Sequence, residues 1–425
     1  MTALVFAVAP LSLLALGLPI FAVLIFATLI GVLYRGDVPL DTIHTAMFGG
    51  LDAFALLAIP LFILAGDLMA RGGIARRLIE FALALIGGVR GSLALATIAS
   101  ASVFGAISGS SVACVAAIGK LTLPSLERTG YGRTFGVSLI TATGVIDVII
   151  PPSIPMIIYA IAAQVSIVQL FLAGIVPGLL IAACLAIYVI MRAHIQMVPL
   201  GDRARWVNIW ATFKDAFWAL MAPVVILGGI YGGVFTPTEA AGVACVYAIF
   251  VSVYAYKELT WLGVVQIMRE STSLIAQIMI IVSAASAYAW LITTSGIAST
   301  IVNTIQSLAL PTWLLLLTLN VLLLGVGSVL EPPAAILILT PLLTPIVTSA
   351  GVDPIHFGLI VTVNLAIGLF LPPFGLNLFA SHAMFGTPLP ALYRGVIPFL
   401  LIYLMVLLLL TYVPAITLVP LRYLT

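Results

Sequence analysis

Gly144-Val-Ile-Asp-Val-Ile-Ile-Pro-Pro-Ser-Ile-Pro155 decides the fold of this chain. It interrupts the apolar stretch Thr134–Ala163, which is long enough to cross a bilayer. Proline removes an N–H donor and clashes one turn back, so two in series break a helix. The carbonyls before the break, about Gly144–Ile150, lose their partners. In hydrocarbon nothing replaces them, so they must face protein, water or an ion. The half-helix that follows starts with free N–H groups and a positive dipole end, which favour anions. The same break recurs as Leu365-Ala-Ile-Gly-Leu-Phe-Leu-Pro-Pro-Phe-Gly-Leu-Asn377.

The recurrence is part of an internal repeat. Pro151 and Pro152 meet Pro372 and Pro373 at an offset of 221 residues, and the same offset pairs Pro124 with Pro345 and Gly130 with Gly351. It also pairs Gly174 with Gly395, Pro177 with Pro398, Thr97 with Thr318 and Thr141 with Thr362. Coincident Gly and Pro positions are not produced by apolar composition alone. With a slip of about two residues the match extends upstream, from Gly73-Ile-Ala75 to Gly296-Ile-Ala298. The chain divides into a first repeat, 1–200, a connecting loop and extra helix, 201–233, and a second repeat, 234–425.

Within each repeat a long apolar segment precedes the broken helix, 92–126 in the first and 311–350 in the second. Their middles are Gly105-Ala-Ile-Ser-Gly-Ser-Ser111 and Gly325-Val-Gly-Ser-Val-Leu-Glu-Pro-Pro333. Plain spanning helices do not place such residues at mid-depth. Re-entrant hairpins do, with tips in protein or beside water. The remaining spans are Phe54–Ala70, Leu170–Met191, Phe217–Gly233, Thr238–Tyr256, Ser273–Thr293 and Val396–Val413, and Thr2–Leu33 is expected to be a first spanning helix. The expected fold is an all-α polytopic membrane protein with two inverted-topology repeats.

Composition agrees. Of 425 residues 63% are hydrophobic and 7% charged, too few charges to cover a soluble globule. No basic stripe exists for nucleic acid. Cys114, Cys184 and Cys245 are widely spaced, without metal or disulfide patterning. No Ser/His/Asp cluster or HExxH motif suggests an enzyme.

Charge also orients the chain. If the first hairpin enters from the cytoplasm, Lys120, Arg128 and Arg133 lie there, whereas the matching loop Ser349–His356 has Asp353 and no Lys or Arg. Threaded throughout, 14 of the 16 basic residues fall inside, and only Arg35 and Arg422 fall outside. The N-terminus is then cytoplasmic and the C-terminus periplasmic. Two segments too short to span, Ala75–Gly88 and Ser299–Leu308, are expected as interfacial arms. In the first, Arg76, Arg77 and Glu80 would meet headgroups, with Leu78, Phe81 and Leu85 in lipid.

Inverted repeats, hairpins and broken helices together are the design of a secondary transporter with midplane sites. The hydroxyls of Ser108, Ser110 and Ser111 suit a hard monovalent cation such as Na⁺. Ser153 and Asn377 lie just past the two breaks, where a polar ligand could be held. Asn364 precedes the second set of freed carbonyls. Asp147 and Glu331 are carboxylates at apparent membrane depth, functional by default. Glu331 is placed as an ion or substrate-gating contact. Glu239 follows Thr236 as a helix N-cap residue with Pro237 opening the helix, a structural role.

Five blocks now carry a resemblance. They are Ser108-Gly-Ser-Ser-Val-Ala-Cys-Val-Ala-Ala-Ile-Gly119, Ile150-Pro-Pro-Ser-Ile-Pro155, Gly233-Val-Phe-Thr-Pro-Thr-Glu-Ala-Ala241, Ile336-Leu-Ile-Leu-Thr-Pro341 and Pro372-Pro-Phe-Gly-Leu-Asn377. In order and over essentially the whole length, the chain resembles the large membrane subunit of tripartite ATP-independent periplasmic (TRAP) transporters, the DctM or SiaM type. The resemblance implies an elevator-type Na⁺ symporter of the ion-transporter superfamily in a bacterial inner membrane. It also implies a small membrane subunit, a periplasmic binding protein, and a small organic anion such as a C4-dicarboxylate or sialic acid.

By the same resemblance, a first Na⁺ site combines Ser108, Ser110 and Ser111 with the segment Gly144, Asp147 and Ile150. A second combines Glu331 and Asn364 with Ile367 and Leu371. Ser108, Ser153, Asn377 and Glu331 are the expected substrate contacts. The sequence departs from the pattern at Glu331, where Asp is usual, at Leu371, where Thr is usual, and at Asp147, where a small residue is usual. The other reading left open is a stand-alone symporter or antiporter of the same superfamily.

Overall fold

In the computed structural model the first broken helix starts at Arg133 and runs regularly to Thr143. It then tightens to a 3₁₀ turn over Gly144–Val148. Ile149 and Ile150 both donate to the Ile146 carbonyl before the cis Pro151-Pro152 bond. Helix restarts at Ile154–Ala163, with Ser153 at its N-cap. The second copy repeats the device, with Pro354–Gly368, a cis Pro372-Pro373 bond and then Leu376–Phe385. Its start is set by Asp353, whose Oδ1 accepts from the N–H groups of Ile355 (2.8 Å) and His356 (3.2 Å). The described residues are 10, 12–14, 16–201, 203–296, 300, 302–303 and 310–424.

Each broken helix follows a helical hairpin. The first is Ser92–Ser108 and Ser111–Arg128, turned at Gly109, whose φ of +63° is the left-handed region glycine tolerates. The second is Thr312–Val329 and Pro332–Ser349, with Leu330 and Glu331 extended at the tip. Pro332 occupies the first helical position, where its missing N–H is no loss. The hairpins lie close on their broken helices. A Cβ on Gly105 would stand 2.7 Å from Asp147 Cα, and one on Gly368 would stand 2.3 Å from the Gly327 carbonyl group. Such backbone approach is how helices associate where lipid removes the hydrophobic drive.

The repeat reaches individual hydrogen bonds. Thr97 donates to the Leu93 carbonyl (2.9 Å) and its counterpart Thr318 to Leu314 (2.8 Å). Thr141 donates to Val137 (2.7 Å) and its counterpart Thr362 to Gly358 (2.8 Å). The halves also trade segments. The half-helix Leu376–Phe385 packs on the first hairpin, and Ile154–Ala163 packs on the second. Buried bonds cross between them: Thr141 Oγ1 to Ser381 Oγ at 2.7 Å, and Tyr403 OH to the Ala142 carbonyl at 2.7 Å.

An outer frame surrounds this unit. Pro237–Phe250 packs on Ala58–Arg71 through Ala240, Ala241, Ala244 and Ala248, all buried, so the two backbones come close. Trp261–Thr294 runs for 34 residues, starting well before the span expected from Ser273. Among the described residues, eight helical segments are long and apolar enough to cross a membrane. The helix N-cap expected at Thr236 is present, in the form of a capping box. Thr236 Oγ1 accepts from Glu239 N–H, and Glu239 returns a bond to Thr236 N–H at 2.8 Å. Thr236→Ala should lower unfolding stability by about 1 kcal/mol; thermal unfolding indistinguishable from the parent would remove that role.

Two expectations change. The first span is not continuous from Thr2: its early part lies outside the described residues, and helix runs from Ile20 to Arg35 after a turn at Gly17 (φ +77°) and Pro19. The first arm is helical over Ile74–Ile86, but Leu78 is buried against protein. Phe81 meets Phe213 of the connecting helix Trp206–Tyr231. Arg77 also turns inward, bonding Glu258 and covering the Tyr256 ring at 3.7 Å. Leu85 stays exposed, so only part of the arm's apolar side serves a neighbouring helix. The second arm, Ser299–Leu308, lies mostly outside the described residues. A final helix, Ala415–Leu424, and a short one, Asp41–Gly49, were not anticipated.

Candidate ion and substrate site

Asp147 joins the first break to the first hairpin tip. Its Oδ1 accepts from Gly109 N–H at 2.8 Å, and its Oδ2 is buried with no partner among the described residues. Ser108 and Ser111 are buried nearby, at 1% and 6% exposure. The Ser108 hydroxyl accepts from Ser110 N–H at 3.3 Å. Gly144 lies against the tip as well, since a Cβ there would come within 3.3 Å of the Ser111 carbonyl oxygen. Ile150, the last residue before the prolines, is buried. The structure therefore brings the first tip, Gly144 and Asp147 together, whereas the Ile150 side chain packs on Gly178; the tip hydroxyls and the Asp147 carboxylate are hard oxygens of the kind a small cation takes.

The second set is less assembled. Asn364 donates to Asn320 Oδ1 (2.7 Å) and to the Ile360 carbonyl (2.8 Å), and Asn320 in turn donates to Thr411. That is a helix–helix network. The carbonyls of Ile367 and Leu371 each accept a backbone N–H, from Phe370 (3.1 Å) and Gly375 (3.0 Å). Glu331 shares a cavity wall with Leu369 and not with Leu371.

That cavity, about 380 Å³, lies where the two tips, the two breaks and the outer frame meet. Ser110 and Ser111 line it from the first tip, and Glu331 from the second. The breaks supply Val148, Ile154, Leu369 and Leu376, and the frame supplies Asp67, Leu274 and Ile278. Of the expected substrate contacts, only Glu331 is on this wall. Ser108 is packed on Gly66, where a Cβ would fall 2.9 Å from the Ser108 carbonyl oxygen. Ser153 is fully buried, with its hydroxyl donated to the Val148 carbonyl. Asn377 is buried behind Ser111, to which its amide donates, and its Oδ1 has no partner among the described residues.

Asp67 was missed. It sits one helical turn before Arg71, so in sequence it reads as the polar end of a span. In the structure it faces the cavity, with Ser271 donating to its Oδ2. A carboxylate inside an otherwise apolar run is the signal that could have found it.

A ligand-sized cavity bounded by paired hairpin tips and paired helix breaks defines a membrane transporter. The comparisons narrow the class. Residues 7–416 match the model of the tripartite ATP-independent periplasmic transporter, DctM component. A C4-dicarboxylate TRAP transporter large permease protein from Pseudomonas aeruginosa is 42% identical over 88% of this chain and 87% of its own. The isethionate TRAP transporter permease protein DctMQ of Oleidesulfovibrio alaskensis is 41% identical over 95% of this chain and 64% of its own. The sialic acid TRAP transporter large permease SiaM of Vibrio cholerae is 34% identical over 96% of both chains. Among solved structures, the YdaH transporter of Alcanivorax borkumensis shares the fold, with TM-score 0.62, 16% identity and 88% and 89% coverage. This chain belongs to the DctM family of TRAP transporter large permeases, a multi-pass membrane transporter family and not an enzyme class.

Proposed function

We propose that the chain is the translocating subunit of a Na⁺-coupled importer of a small organic acid. One observation carries the coupling: the buried, unpartnered Oδ2 of Asp147 beside the hydroxyls of the first tip. Na⁺ bound there would tie the tip to the break and lend positive charge to the adjacent cavity. The breaks contribute half-helix N-termini at Ile154 and Leu376. With no Lys, Arg or His among the described residues of the cavity wall, these dipoles, hydroxyls and the ion would hold an acidic group. The relatives' named cargoes, C4-dicarboxylate, isethionate and sialic acid, support an organic acid.

In this reading the hairpins and broken helices move together, as an elevator, against the frame and arms. The partners are a small membrane subunit and a periplasmic binding protein. The site is the bacterial inner membrane, with a cytoplasmic N-terminus and a periplasmic C-terminus. Proteoliposomes holding the chain, its small subunit and its binding protein test it, with the cargo taken from the binding protein. Removing the inward Na⁺ gradient should cut uptake at least about tenfold. Unchanged uptake would sink the coupling, and uptake by the chain alone would sink the need for partners.

A further inference from the structure

The cavity wall has a polarity that the import of a plain acid leaves unused. Asp67 and Glu331 line it, and among the described residues no Lys, Arg or His does. Neither carboxylate has an ion-pair partner among the described residues. Glu331 has no hydrogen-bond partner there either, and Asp67 is held in place by the Ser271 hydroxyl. Asp67 is half-buried and Glu331 exposed, so both carboxylates are open to whatever fills the cavity.

The two tips are chemically opposite. At the first, Ser110, Ser111, Val112 and Ala113 line the cavity. Helical bonding begins with Cys114 N–H to the Ser110 carbonyl (2.9 Å), and no side chain caps this helix. The N–H groups of Ser111, Val112 and Ala113 are therefore unused donors. At the second tip, Pro332 and Pro333 line the cavity where the matching donors would be, and proline has none. In their place stands Glu331. One tip offers donors to an anion, and the other, with Asp67 of the frame, offers acceptors to a cation.

We infer that the cargo is a zwitterion: a small molecule whose acidic group lies at the first tip and whose cationic nitrogen faces Glu331 and Asp67. This rests on the import reading and narrows its cargo. A dianion would place its second acid against two carboxylates, and such like-charge opposition is a strong discriminator.

The test is binding to the purified complex of the chain and its small subunit, in Na⁺, read as a concentration-dependent rise in unfolding temperature. The probes are two isosteric pairs: trimethylammonioacetate with 3,3-dimethylbutanoate, and 4-aminobutanoate with pentanoate. Succinate is the dianion. Within each pair shape is shared, so the ratio of half-saturating concentrations reads the nitrogen's charge. The zwitterion should bind at least about tenfold more tightly in each pair. Asp67→Asn should bring both ratios towards one. Equal or tighter binding of pentanoate, 3,3-dimethylbutanoate or succinate overturns the zwitterion and leaves the import of an acid standing. Ratios intact in Asp67→Asn with a shifted Na⁺ dependence also overturn it, because the carboxylate then serves the ion. Absence of Na⁺-dependent binding by all five probes overturns the zwitterion, while Na⁺-driven uptake of the binding protein's own cargo separately decides the import reading.

Discussion

Gly368→Ala is expected to destabilise the protein by about 2–3 kcal/mol, as a strained insertion into a packed core does. The added Cβ would lie 2.3 Å from both the carbonyl carbon and oxygen of Gly327. These are backbone atoms, so no side chain can rotate away. Gly327 cannot retreat freely either, because a Cβ on it would already be 3.1 Å from Leu365 Cα. Helix propensity alone favours Ala over Gly by about 1 kcal/mol, so the sign of the result separates the two effects. Gly325→Ala is the control, since its Cβ would meet nothing within 4 Å. Thermal unfolding of purified protein should show loss for the first and none for the second. A Gly368→Ala protein as stable as its parent would show that the hairpin does not bind the break so closely.

The other large effect is at Asp147. Asp147→Ala removes the acceptor for Gly109 N–H and the buried oxygen beside the tip. An orphaned buried donor costs about 1–3 kcal/mol. Without a carboxylate to hold the ion, Na⁺-driven uptake should also fall at least about a hundredfold, which corresponds to roughly 2.7 kcal/mol of barrier. Asp147→Asn separates the roles. Its amide oxygen can still accept from Gly109, so the tip stays in place, but the charge is gone. Uptake by the Asn protein should need at least about tenfold more Na⁺ at half-saturation, with near-normal stability. Full activity in Asn would reduce Asp147 to a tether.

The repeat makes this sharper. At an offset of 221 the counterpart of Asp147 is Gly368, and the counterpart of Glu331 is Ser110. Counting only the tips and the breaks, each half thus carries one carboxylate, on the break in the first and on the tip in the second. In the second half the position facing the hairpin is kept bare by glycine contact. The two expected sets of site residues are therefore not equivalent in sequence.

The architecture was legible because its punctuation is local. Pro151, Pro152, Pro372 and Pro373 act on their own turns, and Gly109 and Pro332 shape tips without help from distant residues. Asp67 was not legible, because one turn from Arg71 a carboxylate looks like the edge of a span. Leu78 was misjudged for a related reason: an amphipathic helix has the same periodicity whether its apolar side meets lipid or a neighbouring helix. The network of Asn320, Asn364 and Thr411 joins three separate helices, which no spacing along the chain records. Ser153 looked like a ligand contact because it follows a break, yet following a break also makes it the natural cap of the next helix.

The traded half-helices set a schedule for synthesis. Ser111 of the first tip receives its hydrogen bond from Asn377, which lies 266 residues later. At about 5–20 residues per second, a ribosome needs roughly 15–50 s to make that partner. Throughout that interval the first hairpin sits in the bilayer with part of its socket unbuilt. Its early hold must come from its own broken helix, through Gly105 against Asp147. The Asp147 bond to Gly109, besides serving the finished transporter, then acts as the clasp that keeps a half-made one in register.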